Sequence, residues 1–266
     1  MSFFLKLRIP RPIRRICFFA GHYSEKALRT FLSLSVTQIP CVLCGNPAGS
    51  ISLCRSCRLQ LDEEAGKALS DARRCSQCGR PLLSEHGICT ACRDHPLFQA
   101  LDGVYPLFTY VLSKKKLLYS WKIARQHNLS EVFACYLAAA ICKHFPDTIL
   151  VPVPPRPGKI RKTGWDQIED ITQYLENIYR ISVMRILKRT ETVQQKKLSK
   201  EERAEHSKHS YVIDEREVSL IDKLPEQVVL LDDVITTGST VTACAEVLKA
   251  AGVGKVYALS LFTVPG

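Results

Sequence analysis

The sequence predicts an α/β protein in which helices flank a parallel sheet, preceded by a small cysteine-rich module. Helix-like and strand-like apolar patterns alternate over residues 97–266, which favours the α/β class. Within this region, the apolar stretch 227–231 has the composition of a strand that is buried on both faces. Upstream, eight of the twelve cysteines form four Cys-x-x-Cys pairs, so this part of the chain has a different organisation.

Three regions follow from these patterns: a basic segment (1–38), the cysteine-rich module (39–96) and the α/β region (97–266). In the last region, apolar spacing predicts helices over 131–145, 166–178 and 240–251, the first with Ser130 as its N-cap. Strands are expected over 148–153, 227–231 and 255–262.

Composition and charge narrow the classes of partner. Apolar residues make up 46% of the 266 residues, which excludes wholesale disorder. The formal net charge of +11 favours polyanions, either phosphorylated metabolites, nucleic acid or an anionic membrane surface. The basic segment fits either a solvated arm or a contact with such a partner. No apolar run approaches the roughly 18 residues of a membrane span, and the pattern of cysteine use fits a reducing compartment. We therefore expect a cytoplasmic protein without a transmembrane segment.

The cysteine pairs form an internal repeat with an offset of 34 or 35 residues. A Cys-x-x-Cys turn supplies two thiolates, and two such turns complete the tetrahedral site that structural zinc prefers. Sequential pairing predicts two structural zinc sites, with cross-braced pairing as the alternative arrangement and disulfide or redox chemistry as the alternative to zinc. The predicted ligands are Cys41, Cys44, Cys54 and Cys57 in one site, and Cys75, Cys78, Cys89 and Cys92 in the other.

A second functional motif follows the apolar strand. Two acids, Asp232 and Asp233, precede a hydroxyl-rich loop that begins a helix; the loop residues are Thr236, Thr237, Gly238, Ser239 and Thr240. Backbone N–H groups at a helix N-terminus bind anions, and carboxylates accept hydrogen bonds from paired sugar hydroxyls. The motif therefore predicts a sugar-phosphate site, with an ordinary solvated turn as the alternative.

The stretch Val228–Thr240 resembles the phosphoribosyl-pyrophosphate signature of type I phosphoribosyltransferases. Together with the double cysteine module, roughly residues 35–266 are similar to the ComF family, whose members have been linked to DNA uptake in competence. Three further segments resemble that family in order. They are Val151–Pro154 with the basic residues Arg156, Lys159, Arg161 and Lys162 after it, then Gly164–Gln167, and then Arg189, Thr192, Gln195, Leu198 and Arg203, which match a mobile loop.

The resemblance implies a type I phosphoribosyltransferase-like sheet and 5-phosphoribosyl 1-diphosphate with Mg²⁺ as the ligand. Asp232 and Asp233 would contact the ribose as the catalytic residues, and the loop 236–240 would hold the 5-phosphate. The other implied ligand-binding residues are Arg156, Lys162 and Gln167. At Thr163 and Asp166 the family usually has arginine and asparagine, so we expect weaker anion binding unless Lys162 compensates.

Two functions are consistent with this sequence. The first is phosphoribosyl transfer to an acceptor that the sequence does not identify. The second is a non-catalytic accessory role in DNA uptake or processing, in association with nucleic acid. The intact acid pair and loop favour the first function, and the basic charge and the zinc module favour the second.

Overall fold

A computed structural model describes residues 39–48, 51–70, 74–82, 85–94, 98–190 and 210–264. The basic segment 1–38 and most of the predicted mobile loop, including Thr192, Gln195, Leu198 and Arg203, lie outside the described residues. The helices of the described ranges are α1 (Arg55–Leu69), α2 (Thr90–Asp94), α3 (Leu112–Lys122), α4 (Asn128–His144), α5 (Lys159–Thr163), α6 (Gln167–Asn177), α7 (Glu215–Val218) and α8 (Ser239–Ala250). The strands are β1 (Gly103–Thr109), β2 (Ile149–Pro152), β3 (Leu187–Arg189), β4 (Tyr211–Ile213), β5 (Gln227–Ile235) and β6 (Lys255–Thr263).

Four parallel strands form the central sheet in the order β1-β6-β5-β2. The buried strand expected from the apolar stretch is β5, which lies between β6 and β2. Its alternate residues face opposite sides: Val229 and Leu231 pack with α4 and α6, whereas Val228 and Leu230 pack with α8. The predicted fold class, a parallel sheet flanked by helices and preceded by two cysteine clusters, is confirmed.

Two predicted boundaries are wrong for tertiary reasons. The helix expected from residue 131 begins at Asn128, so Ser130 lies inside α4. Its buried hydroxyl accepts a hydrogen bond from Trp121 Nε1 at 2.8 Å instead of capping the helix. The strand expected to end at residue 231 continues to Ile235, because β6 pairs with it beyond the apolar stretch. The acid pair therefore lies within the paired part of β5.

Helix α1 was not predicted, and it joins the first cysteine cluster to the sheet domain. Its residues Leu61, Ala65 and Leu69 are buried in the same core as α4. Polar contacts add to this packing: Tyr136 OH donates to Asp62 Oδ1 at 2.7 Å in the buried interface. The cysteine module thus shares a core with the α/β region.

Candidate functional site

Each half of the cysteine repeat folds into one compact cluster. Within each cluster the sulfur atoms lie within 4.8 Å of one another, and the clusters contain Cys41, Cys44, Cys54 and Cys57, or Cys75, Cys78, Cys89 and Cys92. Sequential pairing is therefore correct, and cross-braced pairing is excluded. The Cys44–Cys54 and Cys78–Cys89 sulfur atoms are 3.5 and 3.8 Å apart. Disulfide sulfurs lie about 2.05 Å apart, so none of these cysteines is bonded as a disulfide.

The donor set fits zinc. Zn–S bonds of about 2.3 Å in a tetrahedron separate the sulfurs by about 3.8 Å, close to the observed spacing. Burial alone would raise the pKa of the Cys41 thiol, but backbone N–H groups, those of Cys44 and Cys54 foremost, lower it to about 6. Cys75 accepts from the backbone N–H of Cys89 at 3.4 Å. These donors stabilise the thiolates of Cys41 and Cys75, and the four sulfurs of each cluster can hold a zinc ion without an open coordination position.

The second cluster contacts the edge strand of the sheet. Arg74 Nη1 donates to Gly79 O at 2.7 Å and to Pro106 O, in β1, at 3.2 Å. A Cβ on Gly79 would lie 2.1 Å from Val104 O, so only glycine allows this close approach. Both clusters are thus fixed against the α/β region by specific contacts.

The acid pair lies on β5, where the two carboxylates have different surroundings. Asp233 is buried, and its Oδ2 accepts from Gln167 Nε2 at 2.6 Å and pairs with Lys122 Nζ at 2.6 Å. Asp232 is partly exposed, and its Oδ1 accepts from the backbone N–H of Asp233 at 2.8 Å. Burial of the carboxyl, followed by the charge of Asp233, raises the pKa of Asp232 to about 8. The pair therefore combines one ion-paired carboxylate with one carboxyl that is poised to titrate.

The predicted phosphate loop adjoins Asp232. One small cavity of about 20 Å³, with room for about one water molecule, is lined by residues that include Asp232, Thr236, Gly238, Ser239 and Thr240. Thr237 lies outside this lining; its hydroxyl accepts from the backbone N–H of Ser239 at 3.4 Å, at the start of α8. The structure thus brings one acid and most of the loop together.

Gly238 shapes the turn that precedes α8. Its φ is +78°, in the left-handed region that favours glycine. A Cβ at this position would lie 2.1 Å from Cε1 of the buried Phe98 ring. Both the backbone conformation and the aromatic neighbour therefore require glycine.

In the basic run after β2, Lys159 is the cation that contacts the residues around the acid pair. Arg156 and Lys162 are exposed. Lys159 instead pairs with Asp166 Oδ2 at 2.7 Å and donates to Gln167 Oε1 at 2.5 Å. Asp166 also caps α6, where its Oδ1 accepts from the backbone N–H groups of residues 168 and 169. Lys159 thus offsets the charge of Asp166, the compensating role that the sequence suggested for Lys162.

Two residues near the site have no sequence signal. Lys122 reaches Asp233 from the end of α3, and Phe98 supports Gly238 from the segment before β1. Both contacts depend on how distant segments pack, so neither appears in a local motif. A third neighbour, Tyr211 on β4, is buried and hydrogen-bonds Thr240.

Sequence comparison gives one informative relative, and no family model matches the chain. Over 238 residues, the chain is 26% identical to competence protein ComFC of Streptococcus pneumoniae (strain ATCC BAA-255 / R6). The alignment covers 83% of this chain and 98% of that protein. The chain is a homologue of ComFC. The predicted resemblance to the ComF family is therefore confirmed. In the described ranges, no helix has both the length and the hydropathy to cross a bilayer.

Proposed function

We propose that this chain binds a phosphorylated ribose, with 5-phosphoribosyl 1-diphosphate and Mg²⁺ as the ligand. The observation that supports this most is the shared cavity of Asp232 and the hydroxyl-rich loop 236–240. In this proposal the loop holds the 5-phosphate at the N-terminus of α8, where backbone N–H groups and the helix dipole favour an anion. The acid pair accepts hydrogen bonds from the ribose hydroxyls, directly or through the metal ion.

The surrounding residues have distinct tasks. Gln167 holds Asp233, the neighbour of the cavity-lining Asp232, by a direct hydrogen bond and so fixes the position of its carboxylate. The exposed cations Arg156 and Lys162 receive the diphosphate. The module 39–96 is structural and supports the ligand-binding region 97–266. Transfer would require breaking the bond between ribose C1 and the diphosphate, and positioning and charge stabilisation are what such a site supplies.

Isothermal titration calorimetry with 5-phosphoribosyl 1-diphosphate and Mg²⁺ tests the proposal. We expect saturable binding that is lost in the double variant Asp232→Asn with Asp233→Asn, while circular dichroism shows a retained fold. Unchanged affinity in that variant would refute the sugar contact. Pyrophosphate release with a panel of nucleobases then distinguishes a transferase, which releases it with one acceptor, from a protein that only binds the ligand.

The second candidate function is an accessory role in DNA uptake, which the name of the relative supports. The net charge of +11 suits a nucleic-acid partner. Binding to single-stranded DNA that weakens steeply with salt, and that is reduced by replacing Arg11, Arg14 and Arg15 with alanine, is the expected result. These three residues lie outside the described ranges. Absence of salt-dependent DNA binding would contradict this role.

A further inference from the structure

Lys122, on a helix outside the predicted motifs, forms an ion pair with Asp233 of the acid pair. Lys122 is the last residue of α3, and its Nζ lies 2.6 Å from Asp233 Oδ2. The Lys122 side chain is 27% exposed and the Asp233 side chain 8%, so this ion pair is largely shielded from water. The preceding residue, Trp121, is fully buried and hydrogen-bonded to Ser130, which anchors this end of α3. The ammonium position is therefore set by packing and not by a mobile surface chain.

The hydrogen bonds around Asp233 have one consistent orientation. An ammonium group only donates and a carboxylate only accepts. The Gln167 amide must therefore direct Oε1 to Lys159 and Nε2 to Asp233, as observed at 2.5 and 2.6 Å. Oδ2 of Asp233 is thus held by two donors, one of them charged, and the acid pair is organised before any ligand arrives.

The negative charges of the acid pair and of the ligand phosphate explain why an ammonium group at this position matters for binding. Asp232 lines a cavity that also has to accept phosphate, and Asp233 is its neighbour in β5. Carboxylates repel phosphate. Lys122 neutralises Asp233 directly and its charge also acts on Asp232. Lys159 neutralises Asp166 nearby. Within this network, Lys122 is the cation that contacts the acid pair itself.

We propose that Lys122 is a built-in cation of the site, so that a ribose phosphate binds at the acid pair without depending on a divalent metal ion there. The inference rests on the proposed function and adds how the site balances its charge. Lys122 acts on the ligand through Asp233, as a positioning residue, and the free carboxylate oxygens remain acceptors for the ribose hydroxyls. The metal ion then contributes to the diphosphate end of the ligand and adds little to its affinity.

The test compares the calorimetric affinity of the zinc-loaded chain for 5-phosphoribosyl 1-diphosphate in buffer freed of Mg²⁺ by ion exchange and in millimolar Mg²⁺. A soluble chelator is left out because it would remove the structural zinc. For the unaltered chain we expect the two dissociation constants to agree within about threefold. Without the ammonium, the Asp233 carboxylate would repel the phosphates of the ligand, so Lys122→Met should weaken binding in the Mg²⁺-free buffer by about 10–100-fold. Mg²⁺ should restore most of that loss, because it replaces the missing charge. A purely structural role would weaken binding equally in both buffers.

Two further variants separate charge from folding. Lys122→Gln retains a hydrogen-bond donor without the charge and should also lose binding in the Mg²⁺-free buffer; it replaces the methionine variant if that one unfolds. Lys115→Met removes an exposed lysine of the same helix and should leave both constants unchanged. Equal affinities of Lys122→Gln and the unaltered chain in the Mg²⁺-free buffer would overturn the inference. Strict Mg²⁺ dependence of the unaltered chain would overturn it while leaving the proposed function intact, whereas no binding in either buffer would overturn both.

Discussion

Replacing Gly238 by alanine tests how Phe98 and the backbone shape the turn before α8. Two costs add. An L-residue in the left-handed region costs about 1–2 kcal/mol, and Gly238 has φ +78°. The new Cβ would also lie 2.1, 2.8 and 3.0 Å from three ring atoms of Phe98, and overpacking of this kind costs about 1–3 kcal/mol. We therefore expect Gly238→Ala to lower the free energy of unfolding by about 2–5 kcal/mol.

The matched control is Gly164→Ala. Gly164 has φ +72°, but no atom outside its chain neighbours lies within 4 Å of its ideal Cβ. Only the conformational cost of about 1–2 kcal/mol should remain. Urea unfolding at constant zinc concentration measures both variants. Equal destabilisation of the two would refute the assigned contact with Phe98. A second check is the double variant Gly238→Ala with Phe98→Ala, which should be less destabilised than the sum of the single variants.

Three other predictions concern the metal, the interface and the acid pair. Mass spectrometry should find two zinc ions per chain, one in Cys57→Ser and still two in Cys244→Ser, because Cys244 belongs to neither cluster; two in Cys57→Ser would contradict the assignment. Burial raises the pKa of Asp62, so its contribution to folding stability falls as pH rises above its unfolded value of about 3.9. Asp62→Asn still accepts from Tyr136 and should show a flatter fall in thermal stability between pH 4 and 8; parallel curves would contradict this. With its pKa raised to about 8, Asp232 becomes a better acceptor for the ribose hydroxyls as pH rises, and Mg²⁺ offsets the added negative charge. Ligand affinity in millimolar Mg²⁺ should therefore increase from pH 6.5 to 9, and Asp232→Asn should remove that increase.

Local sequence patterns predicted the structure correctly where the residue types and their spacing indicated the same element. The offset of the cysteine repeat predicted both four-thiolate clusters, and the apolar stretch before Asp232 predicted the central strand β5. Contacts between distant segments were not predictable. The strand extends to Ile235 because β6 continues to pair with it, and Lys122 reaches Asp233 only because α3 folds back toward β5.

Helix α1 illustrates an intermediate case. Its buried residues Leu61, Ala65 and Leu69 recur every four positions, a helical signal that the cysteine pairs around it obscured. The signal indicates a helix but gives no information about its partner. That partner, α4, follows only from the three-dimensional arrangement, in which a buried hydrogen bond from Tyr136 to Asp62 joins the two helices.

A crystal structure of the chain with 5-phosphoribosyl 1-diphosphate and Mg²⁺ tests the sugar-phosphate assignment most directly. We predict the 5-phosphate against the backbone N–H groups of residues 236–240 and the ribose hydroxyls within hydrogen-bond distance of Asp232 or Asp233. A ligand seated away from this loop, or a loop that stays empty at saturating ligand, would contradict the account.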